Sequence, residues 1–321
     1  MAELAGAYTQ IFIMLVIVVV GYVATKLGYI TKAGFSSINS LLIHIALPCM
    51  IIASVASLDP STGAQQVPWF FVMAFAQFML LIVEAYALNA LLRVPEVQRP
   101  IYLFGNICTN TGFLCLPIIA AVYGSQTVLG SSIYVLMCNL FLGTMGIAVL
   151  QAGDPTRREP GRQASGLKLH FHPRMLWNAP LVACVFALFL FFTGLRLPEM
   201  VDTTIATIGG ICVPLAMMVV GSALAQTDMK SVFTDIRLYA YTFIRQLVVP
   251  AASYVLLARF IADPTLIWVF VIMFAAPVGV MAPAWVDNHH QDGTFAARLT
   301  VISTLASFVF IPLLVTLMGL A

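Results

Sequence analysis

The sequence is poor in charge. Of its 321 residues only 9% are Asp, Glu, Lys or Arg, where a soluble domain carries about 25%. So few charges cannot cover a surface that faces water. Apolar residues make up 61% of the chain and the mean hydropathy is +0.99, so most of the outer surface is expected to face lipid. Lipid offers no partner to backbone N–H and C=O groups, which leaves helices or a closed barrel. Alternation of apolar and polar residues is also lacking. Residues 11–20 are apolar without a break, and this selects helices. A net charge of +2 is too small to point to nucleic acid as a partner.

Signatures of catalysis and of metal binding are missing as well. The chain has no G-x-x-x-x-G-K-[ST], no G-x-S-x-G and no H-E-x-x-H, which argues against an ATP-driven pump and against an enzyme. No cofactor and no metal are expected. The six cysteines (Cys49, Cys108, Cys115, Cys138, Cys184, Cys212) lie in apolar runs without C-x-x-C spacing and read as small reduced core residues. His289 and His290 beside Asp287 read as solvated loop. Residues 1–10 carry no Lys or Arg, and Lys26 follows the first apolar run. That order is the reverse of a signal peptide, so the run is expected to remain as a helix.

What is present is a succession of apolar runs. A spanning helix needs about 20 residues, and runs of that size fall at 8–27, 37–56, 68–92, 101–122, 131–152, 176–194, 204–225, 237–260, 266–286 and 296–319. The loops after the odd-numbered runs, with the adjoining helix ends, hold Lys26, Lys32, Arg93, Arg99, Arg157, Arg158, Arg162, Lys168, Arg174, Lys230, Arg237 and Arg298. The opposite loops hold only Arg196 and Arg259. The positive-inside rule makes the first side cytoplasmic and both termini non-cytoplasmic.

Residues 153–175, rich in Arg, Gly and Pro, read as a cytoplasmic linker between residues 1–152 and 176–321. Five helices is an odd number, so the second half enters the membrane opposite to the first, as in many secondary transporters. LPCMIIASVASLD (47–59) and VPLAMMVVGSALAQTD (213–228) offer weak internal likeness. The expected fold class is an all-α membrane protein of ten transmembrane helices in two inverted five-helix repeats.

Helices 4 and 9 are expected to be broken. Helix 4 contains Asn106, Thr109, Asn110, Thr111, Gly112 and Pro117, and helix 9 contains Pro277, Val278, Gly279 and Pro283. A proline inside a helix costs about 3 kcal/mol, and interruptions at matching places in two halves point to a binding site. The second half of a broken helix begins with unpaired N–H groups carrying partial positive charge, which suits an anion. Asn106 and Asn110, at i and i+4, are expected to share a face and to donate to carboxylate oxygens. The alternative is a pair of proline kinks that only bend helices. Asn139 in helix 5 either lines the pore or bonds between helices.

Glu84 in helix 3 and Arg245 in helix 8 are the charges inside the membrane. Each is costly there, so a partner is expected, and at similar depth they are expected to face each other. Such a pair is either a static tie or a proton-coupling site at Glu84. His44 reads as a packed polar residue.

Several segments resemble the auxin efflux carrier family in its short bacterial form. They are GYVATKLGYI (21–30), INSLLIHIALP (38–48), NICTNTGFLCLPIIAAVYG (106–124), VPLAMMVVGSALA (213–225), APVGVMAPAW (276–285) and STLASFVFIPLL (303–314). The most specific piece is Asn110, Gly112, Phe113 and Pro117. The resemblance implies a scaffold of helices 1, 2, 6 and 7 and a mobile domain of helices 3–5 and 8–10. It implies a carboxylate held at the crossover near Asn110, Pro117 and Pro277, an elevator-like motion, and a homodimer through the scaffold. It further implies a multi-pass protein of the bacterial inner membrane that carries a small acid such as malonate or malate. The short linker, and a helix 9 with no Asn beside Pro277, depart from the plant carriers and argue against auxin or another aromatic acid. A sodium-coupled symporter of bile-acid type shares the helix plan. A membrane sensor without flux is the alternative from another class.

Overall fold

The computed structural model describes residues 2–54, 60–124, 127–155, 179–226 and 235–319. Apolar runs punctuated by proline and glycine fold as helices throughout, and the described residues contain no strand. The first half comprises α1 (Ala2–Lys26), α2 (Lys32–Leu41), α3 (Leu47–Ser54), α4 (Pro60–Leu91), α5 (Arg99–Ile107), α6 (Leu116–Tyr123), α7 (Val128–Phe141) and α8 (Ile147–Gly153). The second half comprises α9 (Ala179–Thr193), α10 (Glu199–Gly210), α11 (Cys212–Ala225), α12 (Ile236–Phe243), α13 (Val249–Leu257), α14 (Pro264–Phe274), α15 (Ala282–Asp287) and α16 (Gly293–Leu317). Residues 156–178, most of the expected linker, lie outside the described residues.

Among the described residues, six helical stretches are long and apolar enough to cross a membrane. They are Ala33–Ala53, Gln66–Leu91, Val128–Gly153, Glu199–Ala225, Ile236–Leu257 and Gly293–Leu317. Phe12–Lys26, Thr111–Tyr123, Val182–Thr193 and Pro264–Phe274 are shorter apolar helices. Their outer faces are greasy: Phe12, Val83, Phe192 and Val309 are 66%, 64%, 62% and 63% exposed. Apolar exposure on this scale fits lipid, not water.

Wide π turns lead into α3, α6, α8 and α13, at Leu42–Ala46, Thr111–Cys115, Leu142–Gly146 and Ile244–Val248. Three of them have one local cause. Pro48, Pro117 and Pro250 each follow two residues after the turn. A proline ring clashes with the carbonyl four residues back and offers no N–H to it, so the preceding turn opens to the next bond along. Arg245 sits in one such turn, and Thr111 and Gly112 in another.

Close backbone contact fixes α1, α3, α10 and α11 together. A Cβ on Gly221 would lie 2.0 Å from the Val18 carbonyl oxygen, one on Gly21 2.4 Å from that of Met218, and one on Gly209 2.8 Å from Met50 Cα. Glycine permits these approaches, as small residues do between membrane helices. Thr25 Oγ1 donates to Ser222 Oγ across the same seam at 2.8 Å.

Candidate functional site

In the run that carries Asn106, Asn110 and Pro117, α5 stops at Ile107 and the helix resumes at Thr111. Cys108, with ψ 73°, turns the chain out of the helix. In the run that carries Pro277 and Gly279, α14 stops at Phe274 and α15 begins at Ala282. Pro277 disfavours helical backbone at Ala276 and has no N–H to give. Each interruption strands polar backbone that lipid cannot satisfy.

The two interruptions meet. Thr109 and Val278 form an isolated antiparallel bridge. Asn110 N–H donates to the Pro277 carbonyl at 2.7 Å, and Gly279 N–H donates to the Cys108 carbonyl at 2.7 Å. Val278 N–H donates to Ser303 Oγ of α16 at 3.1 Å. The approach is close enough that a Cβ on Gly279 would stand 3.1 Å from Cys108 Sγ. Each break thus supplies the hydrogen-bond partners that the other lacks.

Beside this crossing lies a cavity of about 340 Å³. Residues 108–113 of the first break and 279–281 of the second form one wall. Val135, Cys138, Asn139 and Leu142 of the α7 rod, Ile43, Leu47, Pro180 and Trp285 complete it. Its polar lining residues are Thr109, Asn110 and Thr111 of the first break and Asn139 of α7. Asn110 is 2% exposed, and neither atom of its side-chain amide bonds to a protein group. The Asn110 carbonyl accepts the first bonds of the resumed helix, from Leu114 and Cys115 N–H. The N–H groups of Thr111, Gly112 and Phe113 precede those bonds, at the positive end of the Thr111–Tyr123 helix.

Of the residues singled out from the sequence, Asn110, Thr111, Gly112, Asn139 and Gly279 line this cavity. Pro277 and Val278 contribute backbone to the crossing, and Pro117 is buried behind it in α6. Asn139 also donates from Nδ2 to the Val135 carbonyl at 2.9 Å. The His44 ring is exposed and bonds back to the Ser40 carbonyl.

Asn106 is elsewhere. It is fully buried, and its Nδ2 donates to the Leu81 carbonyl at 2.9 Å. Its Oδ1 accepts from Arg245 Nε at 2.8 Å and from the Tyr241 hydroxyl. Its amide is spent inside the protein, and a substrate-binding role is withdrawn. Asn106 and Asn110 do not continue one helical face, because the helix ends between them.

The direct pairing of Glu84 with Arg245 is also corrected. The ion pair formed among the described residues is Arg99 with Glu96, at 3.8 Å. Arg245, with no exposure, gives Nε to Asn106 and Nη1 to the Ala276 carbonyl. The Glu84 carboxylate is buried without a hydrogen bond from protein. Arg245 acts on it only through space.

Sequence reasoning missed most of the cavity's apolar wall. Val135, Leu142, Val280, Met281 and Trp285 carry no local signal that separates a pocket wall from lipid-facing or core residues. Thr109, which the sequence marks as part of the break, approaches Cys138 at 3.5 Å; Cys138 itself reads only as a small core residue.

A fold helical throughout its described residues, with lipid-compatible faces and a cavity at two interrupted helices, has the makings of a membrane transporter. The family model described as "Membrane transport protein" matches residues 7–315, and the chain belongs to that family. The resemblance drawn from the helix motifs therefore holds at family level. An uncharacterized transporter of Methanothermobacter thermautotrophicus is 23% identical over 312 residues, covering 96% of this chain and 97% of its own. An uncharacterized transporter of Methanocaldococcus jannaschii is 25% identical over 251 residues, 77% of each chain.

Proposed function

We propose that this protein is a secondary transporter of a small organic carboxylate, of the size of malonate or malate, held where the two interrupted helices cross. One observation carries the reading. The Asn110 amide, buried and unbonded by protein, belongs to a residue that lines the cavity, next to the N-terminal N–H groups of the Thr111–Tyr123 helix. Those N–H groups and the amide are donors clustered at one end of the break, which suits an anion. The volume of about 340 Å³ lies at the low end for ligand pockets and has room for such an acid.

In this reading the six long and four shorter apolar helices are ten spans in two inverted halves. Helices α1, α3, α10 and α11, seamed by glycine, belong to the fixed scaffold. The crossing helices slide against it and carry the cavity from one face to the other. The cavity's position supports this, because Ile43, Leu47 and Pro180 on one side face the crossing on the other. Lys26, Arg93, Arg99, Arg237 and Arg298 mark the cytoplasmic side. Glu84, with a carboxylate that no protein donor holds, carries the coupling proton.

Reconstituted liposomes test the proposal. Radiolabelled malonate or malate should accumulate in protein-containing vesicles above empty ones, with saturation and with competition by the unlabelled acid. Binding without flux would identify a sensor instead. Neither binding nor flux for any mono- or dicarboxylate would refute the substrate class.

A further inference from the structure

A broken helix ends in free carbonyl groups as well as beginning in free N–H groups, and in transporter cores those carbonyl ends are where a coupling cation is coordinated. Here a side chain serves a carbonyl at the second break and a side-chain amide at the end of the first. The fully buried Arg245 guanidinium donates from Nη1 to the carbonyl of Ala276, just past the end of α14. Its Nε donates at 2.8 Å to Asn106 Oδ1, in the last turn of α5. Gln246, the next residue, donates from Nε2 to the Ala275 carbonyl at 3.3 Å. One fixed cation thus reaches the C-terminal ends of both interrupted helices, where the aligned peptide dipoles concentrate negative charge. Glu84 does not cancel that charge by contact, and the Tyr241 hydroxyl joins the same Asn106 oxygen. Arg245 Nη2 meets no protein acceptor. The π turn Ile244–Val248, opened by Pro250, places Arg245 on this path.

We infer that Arg245 is a built-in substitute for a coupling cation: it holds the carbonyl side of the crossing, so that the N–H side binds an anion without sodium. Arg245 is a positioning residue, since it lines no part of the cavity. The sodium arm of the test rests on the carboxylate reading, and the guanidinium arm does not.

In the first arm, purified Arg245→Ala protein is melted without any carboxylate, in choline, sodium or millimolar guanidinium chloride. Guanidinium should raise the melting temperature of the variant and leave that of the wild type unchanged or lower. No rise in the variant would overturn the inference. In the second arm, malonate binding to the wild type should be the same in sodium, potassium and choline salts. A sodium requirement would overturn it. Arg245→Ala should bind malonate on the order of a hundredfold more weakly and recover part of the loss with guanidinium. Should that variant fail to fold, Arg245→Lys and Arg245→Gln decide the question. The lysine variant, which keeps the charge though not the two-acceptor geometry, should bind more tightly than the glutamine variant, whereas equal affinities would show that charge is irrelevant. Wild-type protein that binds no carboxylate in any salt would sink the carboxylate reading and leave the guanidinium arm to judge Arg245 alone.

Discussion

Asn110→Ala separates a binding residue from a packing residue, because the two roles predict opposite patterns. The wild-type amide gives both its atoms to no protein partner, so its removal breaks no internal hydrogen bond. The backbone bond from Asn110 N–H to the Pro277 carbonyl is untouched by the substitution, and φ −82°, ψ 47° is negative-φ backbone open to alanine. The free protein should therefore keep its stability to within about 1 kcal/mol. Carboxylate binding should suffer. A hydrogen bond to a charged group contributes about 1.5–3 kcal/mol, which converts to a loss of roughly 10- to 150-fold in affinity. Thermal unfolding of the purified variant gives the first quantity, and titration calorimetry with malonate or malate gives the second. A variant that is markedly destabilised yet binds as the wild type does would refute the reasoning, since Asn110 would then be a structural tie.

Asn106 should behave in the opposite way. Asn106→Leu leaves Arg245 Nε, the Tyr241 hydroxyl and the Leu81 carbonyl without their partner, and should destabilise the protein by about 3 kcal/mol in thermal or denaturant unfolding. Gly221→Ala drives a Cβ to 2.0 Å from the Val18 carbonyl; overpacking against backbone should cost about 3 kcal/mol, whereas Gly210→Ala, which meets nothing within 4 Å, should stay within about 0.5 kcal/mol. Glu84→Gln should retain carboxylate exchange in liposomes and lose its acceleration by an imposed pH gradient; acceleration equal to wild type would remove Glu84 from the coupling role.

The sequence was most legible where chemistry forces the backbone. Pro277 has no N–H, and Pro117, Gly112 and Gly279 mark places where a straight helix is strained or where chains approach. Those residues mark both interruptions in the sequence itself. Side-chain direction was not legible, because it depends on where a helix stops to the residue. Asn106 and Asn110 share a face only if α5 continues past Ile107, and it does not. Similar depth along their helices suggested that Glu84 and Arg245 pair with each other, and they do not. The guanidinium goes to an amide and a carbonyl, acceptors that every segment offers and that no motif announces. The apolar wall of the cavity was the least legible part. Trp285 or Leu142 could equally have faced lipid, and only the packing of distant helices decides.

The central claim is that two interrupted helices cross to make a pocket for a carboxylate, and a structure of the protein with malonate or malate bound tests it most directly. The claim predicts the acid in the cavity beside residues 108–113 and 279–281, with a carboxylate oxygen within hydrogen-bond distance of Asn110 Nδ2 and of the N–H groups that open the Thr111–Tyr123 helix. An acid bound away from the crossing, or seated there with its carboxylate turned from Asn110, would contradict it.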